Sequence, residues 1–100
     1  MDCWNAGRSF GLLGHFLGEA RDNDKNPGRC RRWLLAAADE AVIVAKSSAG
    51  KTAKKAQKLT KEIQKLAAEK KPAGTKIIEL RKKSVDLKND SMYDCNATRY

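Results

Sequence analysis

At 100 residues the chain is sized for one small domain, which excludes a separate catalytic domain beside it. With 41% apolar and 33% charged residues it holds enough apolar surface to fold, which excludes a disordered tail. Its net charge of +9 comes from one segment: residues 46–83 carry thirteen basic side chains against three acidic, while residues 1–45 balance at six of each and residues 84–100 sum to −1.

The first stretch, "MDCWNAGRSFGLLGHFLGEA", begins with an acid and has an apolar run of nine residues interrupted by His15. That is too short for a membrane span, and no small-residue cleavage site follows, so the expected location is cytoplasmic. Residues 3–20 read as a helix, with Asp2 as a possible N-cap. Gly7, Gly11, Gly14 and Gly18 fall at spacings of four, three and four, one narrow stripe on that helix. Each glycine costs up to about 1 kcal/mol of helix stability against alanine. Such a register predicts close approach of another helix; the competing reading of "FGLLGHFLG" is a membrane-inserting helix.

"RDNDKNPG", residues 21–28, is a turn by composition. Beyond it nothing forces a break before Pro72. Leu35, Ala38, Val42, Ala45, Ala49, Thr52, Ala56, Leu59, Ile63 and Leu66 alternate spacings of three and four, a heptad seam. Residues 29–71 therefore read as one helix of roughly 65 Å, bent if anywhere at Ser47-Ser48-Ala49-Gly50. Trp33, Leu34, Leu35, Val42, Ile43 and Val44 point in nearly every direction, so the first half of that helix is expected to be enclosed on several sides. "KPAG", residues 71–74, stops it. A last helix over about 75–92 places Ile77, Leu80, Ser84 and Leu87 on one edge and Ile78, Val85 and Met92 on another. Two edges imply contact with its own chain and with something else.

The expected architecture is thus all-α: an elongated three-helix assembly (helices about 3–20, 29–71 and 75–92) with a long, coiled-coil-like central helix. Residues 1–92 form one domain and 93–100 a flexible tail. The small-residue seam favours a homo-oligomer such as a dimer.

Ala45–Thr52, "AKSSAGKT", satisfies a loose phosphate-loop pattern with its first glycine replaced by alanine. A working loop needs a strand before it, a helix starting at its Lys-Ser/Thr, and a sheet around it. "AVIVA" is the one candidate strand, and Ala45, Ala49 and Thr52 already belong to the seam, so no nucleotide is expected. Cys3, Cys30, Cys95 and His15 lack metal-ligand spacing, and no nucleophile–base set is legible. No catalytic residue, metal or cofactor is expected, and the chain reads as a non-enzyme.

The strongest functional signal is Lys51, Lys54, Lys58, Lys61 and Lys65, at spacings of three, four, three and four. They share an arc of about 80° on a helix, away from the seam. Exposed helices do use lysine for solubility, yet they normally mix in acids, and only Glu62 and Glu69 occur between 51 and 71. Like charges at this spacing repel by a few tenths of a kcal/mol each, so the stripe points to an anionic partner. The leading expectation is an inhibitor or adaptor of a larger protein, a nucleic-acid-processing one among the candidates, in the style of accessory proteins of mobile elements or phages. It would use the basic stripe and an apolar surface built from Ile78, Val85, Met92, Leu59, Ile63 and Leu66. The alternatives are a sequence-nonspecific nucleic-acid-binding protein and, less favoured because the seam lacks Trp and Phe, a peripheral membrane helix.

Overall fold

A computed structural model describes the backbone of residues 3–48 and 50–98 and the side chains of residues 8–48 and 50–90. The described residues form four helices: α1 (Cys3–Asp22), α2 (Pro27–Ser47), α3 (Gly50–Ala67) and α4 (Gly74–Thr98). Consecutive helices run antiparallel, and α4 returns beside α1, closing a four-helix bundle of 47 × 19 × 18 Å. The all-α class agrees with expectation. The three-helix arrangement with one long central helix over 29–71 does not: that segment is two helices folded back on each other.

The reversal has a local cause. Ser48 leaves α2 with φ −96° and ψ 166°, an extended conformation. The hydroxyls of Ser47 and Ser48 donate back to the carbonyls of Ile43 and Val44, each at 2.7 Å, using acceptors a continuing helix would need. Gly50 then takes φ +59°, the left-handed region where a side chain is strained. Heptad spacing survived across this turn in numbering only. Folding back sets the buried face of α2 against that of α3, which an isolated coiled-coil helix would have needed a second chain to do.

The break also shifts the register on α2. Its buried positions are Cys30, Leu34, Ala37, Ala38, Ala41 and Val44. Leu35, assigned to the seam from spacing, is 51% exposed, and Ile43 is 46% exposed, so α2 is enclosed on fewer sides than its composition suggested. The remaining core comes from Phe10, Leu13, Leu17 and Ala20 on α1, Ala56, Leu59, Ile63 and Leu66 on α3, and Ile77, Leu80 and Leu87 on α4. Full burial of each large side chain contributes roughly 1.5–3 kcal/mol.

The connections follow from their residues. Between α1 and α2, Asn26 accepts from the Arg29 amide at 3.2 Å as N-cap, with Pro27 in the first helical position. At the end of α3, Arg31 reaches across from α2, its Nε donating to the Ala67 carbonyl and its Nη2 to the Glu69 carbonyl, both at 3.2 Å. These two bonds satisfy carbonyls that the helix end leaves without partners. Pro72 is buried in the turn to α4, which runs to Thr98, past the end near Met92 that the pattern suggested.

Gly11, Gly14 and Gly18 do not serve close helix approach. A Cβ added at Gly11 or Gly14 would meet nothing within 4 Å, and at Gly18 only the Arg81 guanidinium at 3.6 Å. Gly7 lies outside the described side chains.

Three ion pairs link α3 and the turn after it to α4 at seven-residue steps: Lys55–Asp90 at 3.5 Å, Glu62–Lys83 at 3.0 Å and, from the turn, Glu69–Lys76 at 3.7 Å. Each pair joins residues whose numbers sum to 145, the signature of one unbroken antiparallel register. These two helices are nevertheless the most sparsely packed neighbours in the bundle. The ion pairs bridge a seam that apolar packing leaves shallow.

Candidate functional site

Helix α3 divides cleanly between two chemistries. Thr52, Ala56, Leu59, Ile63 and Leu66 face the core, and lysine fills the opposite arc. Lysine is a good helix former, so the row costs α3 only its mutual repulsion. Lys51, Lys54, Lys58, Lys61 and Lys65 are all exposed and form a ridge of about 21 Å at 1.5 Å per residue.

The acids of this region are turned aside. Glu62, Glu69 and Asp90 are held in the α3–α4 ion pairs, and among the described residues none of the five ridge lysines pairs with an acid within 4 Å. The two flanks of the ridge differ. On the α4 side, Lys58 shares a hollow of about 230 Å³ with Asp86 and Asp90, and Lys65 shares one of about 180 Å³ with Glu79. On the α2 side, Lys61 lines a hollow of about 320 Å³ with Lys46, Gln57 and Gln64, and no acid enters it. The positive field is therefore open outward and toward α2, and partly cancelled toward α4.

The apolar candidates separate. Leu59, Ile63 and Leu66 are 4% exposed or less, so the surface expected of them does not exist; their burial is what holds α3 in the bundle. Val85 is 47% exposed and Ile78 half-buried, both beside a shallow hollow with Arg81 and Lys82 on α4. Met92 lies outside the described side chains. What the spacing missed is an aromatic patch on the far side of the bundle. There His15 stands 5.9 Å from Phe16 and 6.0 Å, edge-on, from Trp33. Trp33 is half-buried and flanked by Arg29 and Arg32. No one-dimensional pattern announced it, because its residues come from two helices.

The segment "AVIVA" before the phosphate-loop match is helical, so the strand, loop and helix such a site requires are not assembled there. Among the described residues no three His, Cys, Asp or Glu side chains sit together as a metal site. Cys30 is buried; desolvation, then the Asp24 charge, push its thiol up, against a smaller opposing effect of Arg31. Such a thiol stays protonated and is a poor nucleophile. No helix among the described residues is long and apolar enough to cross a membrane.

The arrangement is that of a small helical bundle with a one-signed cationic edge. No protein-family model matches the chain, and neither a curated protein nor a solved structure matches it.

Proposed function

We propose that the chain is a non-catalytic binding protein that engages the phosphate backbone of nucleic acid, without sequence preference, through the α3 lysine ridge. The observation that carries this is the ridge itself: five exposed lysines in line, with no acid paired to any of them among the described residues. Burial of Leu59, Ile63 and Leu66 supports the same choice, because α3 keeps no apolar face for a protein groove or a lipid surface. Aligned cations without such a face suit a partner that is mostly charge, and displaced counterions supply the affinity. Lysines act as point charges and do not read base edges in the bidentate way arginine does, which accounts for the absence of sequence preference.

The test is fluorescence anisotropy with labelled DNA and labelled polyglutamate between 50 and 200 mM salt. The reading expects DNA to bind with steep salt dependence and Lys54→Gln/Lys58→Gln/Lys61→Gln to weaken it on any sequence. Equal binding of polyglutamate, or an unaffected triple variant, would refute it. A second reading, an adaptor surface on α4, draws support from the exposed Val85 beside Ile78. It expects Val85→Asp to abolish partner binding that the ridge variant leaves intact.

A further inference from the structure

We infer that the ridge is built for a duplex, and that single-stranded nucleic acid is its poorer ligand; this rests on the phosphate-binding reading above. Three features of the molecule point the same way.

The first is rigidity. Helix α3 is fixed along its length by its buried face, by the Arg31 bonds to Ala67 and Glu69 at one end, and by the ion-pair ladder to α4 along one flank. Its lysines therefore form a straight row set before any ligand arrives. A duplex presents its phosphates on an equally stiff frame. A single strand has to be straightened over the same 21 Å or so, and the ordering entropy of that step is charged against binding.

The second is charge density. Duplex DNA carries one negative charge per ~1.7 Å of axis, and each contact to it releases more counterion than a contact to a single strand, about 0.9 against 0.7 per phosphate. A site that depends on lysine alone gains most from the denser polyanion.

The third is what surrounds the row. Single-strand binders recover the ordering cost by stacking bases on aromatic rings. Among the described residues the ridge has no ring beside it. Phe16 and Trp33 lie where α1 meets α2, away from the ridge on α3, and Phe10 is buried. The neighbours on the open flank are Lys46, Gln57 and Gln64, which suit phosphate and sugar oxygens.

The two flanks bias the direction of approach. Asp86 and Glu79 sit beside Lys58 and Lys65, with Lys76 and Lys83 lining the same hollows, so a second phosphate row meets mixed charge on the α4 side and only Lys46 and Lys61 on the α2 side, which the duplex favours. At ~3.4 Å of axis per base pair, a 21 Å ridge laid along a duplex matches the length of about six base pairs.

The experiment is an anisotropy titration of a 20-base-pair duplex and of the corresponding 20-nucleotide single strand, each across 50–200 mM salt. Expected are duplex binding at least tenfold tighter at 100 mM and a slope of log K against log salt near −4.5, the five-lysine limit. That slope amounts to a loss of roughly 500-fold across the range. Lys54→Gln/Lys58→Gln/Lys61→Gln should bring the slope toward −1.8, a loss of about 12-fold. The control with equal charge removed elsewhere, Arg8→Gln/Lys25→Gln/Arg32→Gln, should keep a slope near −4.5. Asp86→Asn with Glu79→Gln should tighten duplex binding several-fold. Single strand bound as tightly as duplex, or tighter, overturns this inference and leaves the phosphate-binding reading standing. No salt-dependent binding to either overturns both. A control that flattens the slope as much as the ridge variant shows that overall charge is responsible and removes the assignment to α3.

Discussion

Replacing Gly50 by alanine tests the turn on which the whole arrangement depends. Gly50 sits at φ +59°, and an added Cβ would meet no neighbour within 4 Å, so the cost is one of backbone conformation alone. A left-handed alanine costs about 1–2 kcal/mol. In the competing conformation, where the chain runs straight through as helix, alanine is better than glycine by up to about 1 kcal/mol. The two effects add, shifting the balance between hairpin and straight helix by about 2–3 kcal/mol, or roughly 30- to 140-fold. A straight helix from Pro27 to Ala67 would be about 61 Å long, more than the 47 Å of the folded molecule. Its halves could then cover their apolar faces only by exchanging α3–α4 with a second chain. The expected result of Gly50→Ala is a melting temperature lower by roughly 4–16 °C, from 4–8 °C per kcal/mol in a domain of this size, together with new dimer on light scattering. Adding Ser47→Ala and Ser48→Ala, which removes the hydroxyl bonds to Ile43 and Val44, should raise the dimer fraction further. Gly50→Asn, which tolerates the left-handed region better, should do less. If Gly50→Ala melts at the wild-type temperature and keeps the wild-type mass, the chain does not turn through a left-handed residue at this position.

Leu34→Ala and Leu35→Ala test the register of α2. Leu34 is fully buried and should lose about 2–5 kcal/mol by denaturant unfolding, whereas Leu35, half exposed, should stay within about 0.5–1 kcal/mol; equal losses would restore the seam that spacing suggested. Arg31→Met removes both bonds to the end of α3 and should cost about 1–2 kcal/mol in the same assay; hydrogen exchange should quicken at Leu66–Ala68, and unchanged protection there would mean the cap contributes nothing. In a Cys3→Ser/Cys95→Ser background, Cys30 should resist a thiol reagent until denaturant is added; labelling at the native rate of a free thiol would contradict its burial. Its raised value means the folded state holds the proton more tightly than the unfolded one. Stability should therefore be level below the ordinary thiol range, about pH 8.5, and decline as pH rises beyond it; a profile flat to pH 10 would remove this contribution.

The helical class and the lysine row could be read directly because both are periodic, and a helix turns period into position. Asn26-Pro27 and Lys71–Gly74 were equally readable, since proline and glycine act on their own backbone wherever they stand. The Ser47–Gly50 turn was harder. A serine can sit within a helix or end it, and which occurs depends on whether its hydroxyl bonds back to the preceding turn and on what lies beside the chain. Small residues on both sides, Ala45 and Ala56 among them, kept the spacing intact through the break and disguised a hairpin as a rod. The fate of Leu35 and Leu34 illustrates the same limit: adjacent leucines fit either of two registers, and only the positions of α1 and α3 choose between them. The His15–Phe16–Trp33 patch was invisible for a different reason, since it exists only once α1 and α2 lie side by side.

The three ion pairs between α3 and α4 are exposed and are worth little as stability, at most about 1 kcal/mol each. Their order matters more than their sum. Reading along α3 and into the turn after it, the signs run plus, minus, minus, and along the facing edge of α4 minus, plus, plus. Slide α4 by one heptad in one direction and Lys55 meets Lys83; slide it in the other and Glu62 meets Asp90. Both displacements keep apolar faces roughly matched, so packing along so shallow a seam would discriminate weakly between them. The charges do not: either shift exchanges attraction for repulsion at one rung and leaves another rung empty. The ladder thus works as an alignment code, selecting one of several near-equivalent ways in which two lysine-rich helices could lie together.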